Sequence, residues 1–126
     1  MKENSTFNTN YVELLEYFKT DHDVLDIIKT DIAHLQEYVQ AVYSMETLIP
    51  IYRVRYDDDD LRYHIEKLDN ARRDKHNLAI MSVKRLNRFA NLAKLPRLFD
   101  GNVDDRYEVA DFCMNTVNTV FSTRSL

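Results

Sequence analysis

Residues 56–60 read YDDDD, and residues 72–77 read RRDKHN. Adjacent carboxylates are the raw material of a divalent-cation site. Guanidiniums, an ammonium and an imidazole in close sequence are the raw material of an anion site. Both stretches lie in one run of helix-forming sequence, so their chemistry depends on where a helix points them. Calcium loops need carboxylates at alternate positions of a turn that contains glycine, and the only glycine in the chain is Gly101. On a helix, four adjacent aspartates point around the axis and do not converge. No metal site is therefore expected. The run reads as a helix start, with Asp57 as cap and Asp58, Asp59 and Asp60 in the first turn, each worth about 0.3–1 kcal/mol against the helix dipole.

The basic stretch is more ambiguous. Arg72, Lys75 and His76 fall where the apolar seam running from Leu68 to Ala79 should continue. Polar residues on a buried seam either pair with acids from another helix or line a ligand site. Glu108 and Asp111 are the expected acids, and Arg73 is expected to hold such a partner as well. The ligand reading makes Arg72, Arg73, Lys75, His76, Arg85 and Arg88 a candidate binding set for an anion, a nucleotide, a nucleic acid or a protein partner. Charge is sharply divided along the chain: residues 72–97 carry a net +7, residues 1–71 a net −8 and residues 98–126 a net −3. A pI near 5.5 argues against non-specific nucleic-acid binding, where positive charge dominates affinity, and no helix-turn-helix is evident.

Two acidic pairs, ELLE at 13–16 and DVLD at 23–26, are similar to the motifs with which all-helical nucleotide pyrophosphohydrolases hold magnesium from facing helices. Their separation is too short to bring two helix faces together, and solvent-facing acids are the simpler reading. His22, His34, His64 and His76 show no zinc spacing, and no serine or cysteine has a nucleophile's setting. Catalytic residues and cofactors are thus not expected.

The elements that must position these groups are helices. One glycine and two prolines are too few turn residues for a sandwich or a doubly wound sheet. The chain is expected to form one all-α domain, an antiparallel bundle of three to four helices, two of them long, at roughly 10–20, 22–49, 58–94 and 103–122. Residues 1–8 read as a loose arm, followed by a capping pair, Asn10 and Glu13. Leu25, Ile28, Ile32, Leu35, Val39, Val42 and Met45 make a nearly strict helix-packing seam that ends before Pro50. Beyond it, IYRVRY at 51–56 reads as a short connector. Leu61, Ile65, Leu68, Ala79, Val83, Leu86, Phe89 or Ala90, and Ala93 continue the pattern. Asn102 is the expected cap of a last helix whose inward face is Val103, Tyr107, Ala110, Met114, Val117 and Phe121.

Cys113 stands alone, which excludes an internal disulfide and fits a reducing compartment. The polar start MKENSTFNTN lacks a signal peptide's apolar core, and no apolar run spans a bilayer, so a cytoplasmic protein without membrane contact is expected. Two helices longer than the last one can cover imply leftover apolar seam, with Tyr38, Val39 and Tyr43 as candidates for a two-fold homodimer.

The stretch DDDLRYHIEKLDNARRDKHNLAIMSVKRLNRFA and, after it, LPRLFDGNVDDRYEVADF resemble small uncharacterised helical proteins of Gram-positive bacteria and their phages, over roughly residues 57–112. The resemblance implies an all-helical fold and carries over no catalytic residue. In size and class the chain is also similar to the bacteriocin immunity proteins, which are four-helix bundles, although no motif is shared. The favoured expectation is a non-catalytic interaction protein that presents helix surfaces to itself or to another protein. A small magnesium-dependent nucleotide enzyme and a nucleic-acid-binding regulator are the alternatives.

Overall fold

A computed structural model describes residues 2–117 and contains only helices and turns among them. Helix α1 runs Lys2–Tyr17, α2 His22–Arg55, α3 Asp58–Leu92 and α4 Arg106–Phe112, with a π-helical turn, Cys113–Val117, continuing α4. The two long helices form a hairpin joined by Tyr56 and Asp57. Their cross-contacts have a nearly constant residue-number sum: Asp31 with Arg85, His34 with Ser82, Tyr38 with His76, and Tyr52 with His64. A constant sum is the signature of antiparallel packing in one register.

The core lies at one end of this hairpin. Ile28, Ile32, Leu35, Tyr38 and Val39 of α2 meet Ala79, Val83, Leu86 and Ala90 of α3. Phe7, Tyr11 and Leu14 of α1 and Val109, Cys113 and Val117 of the C-terminal element complete it. Each large apolar side chain fully buried here contributes about 1.5–3 kcal/mol. The small residues of α3 let its neighbours approach closely.

Asp21 begins α2 by accepting from the Val24 amide at 3.2 Å, and Asp57 begins α3 by accepting from the Asp60 amide at 3.0 Å. The aspartate run is therefore a helix start, as its position implies. Lys94 closes α3 in the left-handed region, with φ of 57°. Its amide reaches the Asn91 carbonyl and the Leu95 amide reaches that of Ala90, the pair of bonds that ends a helix in a Schellman turn. The following loop is clamped to α3 by Asn87, whose side chain donates to the Phe99 carbonyl at 3.0 Å and accepts from the Phe99 amide at 3.2 Å. Gly101 sits where a Cβ would come within 2.6 Å of both Glu108 Oε2 and the Phe99 ring.

Several expectations are corrected. Residues 2–8 are helical and not a loose arm, because Phe7 extends the stripe of Tyr11 and Leu14 and is 2% exposed, packed edge-on against Phe112. Asn10 is accordingly not a cap but a buried mid-helix residue that donates to the Arg97 carbonyl at 3.4 Å. Pro50 does not end α2, and IYRVR is its last turn and a half, held by Tyr52 and Tyr56 against His64. The cap of α4 is Asp105, which accepts from the Tyr107 and Glu108 amides, while Asn102 accepts from Asp104 in the loop before it. Tyr107 points outward at 84% exposure, and Val109 and Cys113 take the inward positions instead. Phe121 and the expected helix end at 122 lie outside the described residues.

Candidate functional site

The basic candidates separate into two groups along α3. Arg72 and Arg73 both donate to Asp69 of their own helix, at 2.9 and 2.8 Å. Asp69 stands three and four residues before them, one turn away on the same face. Those guanidiniums hold its carboxyl below the usual carboxylate range. Lys75 crosses to Glu37 of α2 at 3.0 Å. His76 is buried, stacks on Tyr38 with ring centroids 4.9 Å apart, and shares a hydrogen bond of 3.2 Å with the Arg106 carbonyl. Burial pushes its pKa down, and the nearby Arg72 and Arg106 charges push it the same way, against the pull of the carbonyl. Burial likewise pushes the Tyr38 hydroxyl up, opposed by Arg72. Glu108 and Asp111 are not the partners of this group. Glu108 turns to the Asn102 amide, and the pairing acids are Asp69 and Glu37.

The second group lies two turns further along. Arg85 donates from Nε and Nη2 to the two carboxylate oxygens of Asp31, at 2.8 and 2.6 Å. Asp31 is fully buried, whereas the Arg85 side chain is 45% exposed. Beside them His34 Nδ1 lies 2.9 Å from the hydroxyl of Ser82, itself buried. Arg88 is exposed and has no partner among the described residues. His34, Ser82, Arg85 and Arg88 line a depression of about 200 Å³. Lys84 at its edge is engaged by Asp104 at 2.9 Å. Sequence reasoning missed Asp31, His34 and Ser82. Asp31 gave the one available signal, an acid directly beside Ile32 of the seam.

Most of the +7 stretch is thus compensated locally, which removes much of the field that a nucleic-acid backbone would need. The acidic pairs of α1 and α2 are exposed, Glu16 binding Lys19 at 2.8 Å. Among the described residues, no three histidine, cysteine or acidic side chains come together as metal ligands. A larger groove of about 530 Å³ opens between α1, the loop after α3 and α4, lined by both signs of charge.

Away from the core the hairpin becomes an arm. No residue from Gln40 through Lys75 is buried. Ile51 is 50% exposed, Val54 90%, Tyr43 43% and Tyr63 54%. Of the three residues expected to mediate self-association, Tyr38 and Val39 are buried in the core, and only Tyr43 is on the surface.

This arrangement of a small helical body and a two-helix arm runs through a chain whose whole length, residues 1–126, matches the family described as "Protein of unknown function (DUF3232)". The chain belongs to that family. No curated protein and no solved structure matches it. Among the described residues of this DUF3232 protein, no helix is long and apolar enough to cross a membrane.

Proposed function

We propose that this DUF3232 protein is a non-catalytic interaction protein whose working surface is the α2–α3 arm, and that the arm's partner is a second copy of the chain. The observation that carries this reading is the stretch from Gln40 through Lys75, which keeps a helix-packing pattern yet buries no residue. Among the described residues no third layer covers the arm's apolar side chains, and large exposed apolar surface marks an association site.

Charge favours a second copy over a foreign partner. At 100° per residue, Tyr43, Pro50 and Val54 share a face of α2 within about 40°. Glu46 and Arg53 lie seven residues apart on one flank of that stripe, and neither has a partner among the described residues. A two-fold antiparallel pairing of α2 with its copy preserves the flank. It sets Glu46 against the partner subunit's Arg53, and Arg53 against the partner subunit's Glu46.

Light scattering is expected to give twice the 15.0 kDa chain mass at high micromolar concentration. Val54→Asp should return the monomer with its helix content intact. Glu46→Arg should weaken the dimer, and adding Arg53→Glu should restore it. A wild-type monomer at that concentration would defeat the reading, and a double swap that fails to restore would defeat the register.

A further inference from the structure

Asp31 raises a physical question of its own. It lies among Ile28, Ile32 and Leu35 on the buried face of α2 and is completely removed from solvent. Burying an ion pair gains little stability over well-packed apolar residues of the same volume. What Asp31 does achieve is orientation. By accepting from Nε and Nη2 of Arg85 it fixes that guanidinium along one edge, while Nη1 on the other edge makes no hydrogen bond among the described residues. A buried carboxylate holding a half-exposed arginine by one edge is how a protein preorganises the free edge for a ligand.

The surroundings supply the other parts of such a site. Arg88, one turn further on, adds an uncommitted guanidinium at the same depression. In the tautomer in which His34 Nδ1 accepts from the Ser82 hydroxyl, the imidazole Nε2 carries the hydrogen and is a further donor. Leu78 and Met81 form an apolar wall. At about 200 Å³ the space suits a headgroup of a few heavy atoms and is smaller than an ordinary drug-sized pocket.

We propose that the depression formed by Arg85, Arg88, His34 and Ser82 binds a small oxyanion, the phosphate or carboxylate group of a metabolite-sized molecule, with Asp31 as the positioning residue for Arg85. This site lies on the body, away from the arm, and is independent of self-association.

The test is a titration of the ¹⁵N-labelled full chain with inorganic phosphate and, separately, with acetate, ionic strength being held constant with chloride. Saturable shifts confined to the Ser82, Arg85 and Arg88 amides and the His34 ring are expected with at least one of the two. Saturation by phosphate alone assigns a phosphate group, and by acetate alone a carboxylate. Arg88→Gln, a surface change at a side chain with no partner among the described residues, should weaken binding at least fivefold with the melting temperature unchanged. Arg85→Lys keeps a charge on Asp31 but removes the free edge, and should weaken binding as strongly. Shifts that stay linear for both anions, or that match those produced by chloride, would overturn the proposal. Wild-type affinity in Arg88→Gln would overturn it equally.

Discussion

Arg85 and Arg73 carry the same side chain on the same helix, yet their removal should have very different consequences. Arg73→Ala takes away a 59%-exposed guanidinium whose carboxylate, on Asp69, keeps Arg72. Its cost should stay below about 1 kcal/mol, the range of surface ion pairs. This reverses the expectation from sequence that Arg73 holds an acid on another helix. Arg85→Ala strands the buried Asp31 carboxylate instead. Because the Arg85 head is itself partly in water, the loss should fall at the low end of the range for broken buried pairs, about 3 kcal/mol. Urea unfolding of the two variants checks both values. The seam pattern made the polar interruption at 72–76 legible, and the Asp69–Arg72–Arg73 spacing already contained its local answer. What it could not contain was Asp31 facing Arg85 across 54 residues, since a lone acid beside a seam reads equally well as surface.

At the scale of the element, the helix ends show how side-chain chemistry and packing divide the work. The cap at Asp57 was readable because a carboxylate must satisfy free amides at a helix start, whereas at α4 the same spacing pointed to Asn102 and the cap is Asp105, one turn later. The Schellman turn after α3 was not, because its left-handed position holds a lysine where glycine is usual. Lys94→Gly should relieve that conformation and stabilise the protein by about 1 kcal/mol, measured as a rise in melting temperature. Pro50 misled for a related reason. Proline inside a helix costs about 3 kcal/mol, which reads as a stop unless contacts beyond it compensate. Here the Tyr56–His64 stack, with centroids 4.1 Å apart, and the Tyr52 contact to the same ring hold the last turns of α2 on α3. Those contacts exist only once the hairpin has closed. Phe7, by contrast, was legible at its four-residue spacing from Tyr11 and was obscured by the polar residues around it.

For the whole molecule, the sequence made the class and the two long helices plain, because periodicity survives without knowledge of neighbours. The length of the two helices implied that some seam is left uncovered but not which part, since seam residues look alike whether or not anything lies over them: Tyr38 and Val39 are buried and Tyr43 is on the surface. His76 marks where that cover ends, between Tyr38 and the start of α4. Its folded pKa is depressed, so as pH falls through about 6.5 the unfolded chain takes up a proton that the folded chain resists. The neutral imidazole's contribution is fully present above pH 6.5, declines below it, and levels off once pH is under the folded pKa. Each unit of depression corresponds to about 1.4 kcal/mol. Comparing denaturant midpoints at pH 7.5 and 5.0 should show a larger acid loss in the wild type than in His76→Gln, which keeps a donor for the Arg106 carbonyl.

The one-ended cover also means that α2 and α3 do not melt as uniform rods. Among the described residues, the backbone amides between Gln40 and Lys75 are guarded by a two-helix contact alone, so they are expected to open to solvent by local fraying from the Tyr56–Asp57 turn. Those between Ile28 and Val39, and between His76 and Ala90, wait for the body to come apart. One continuous pair of helices therefore belongs to two cooperative units, and whatever settles on the arm adds its free energy to the weaker of them.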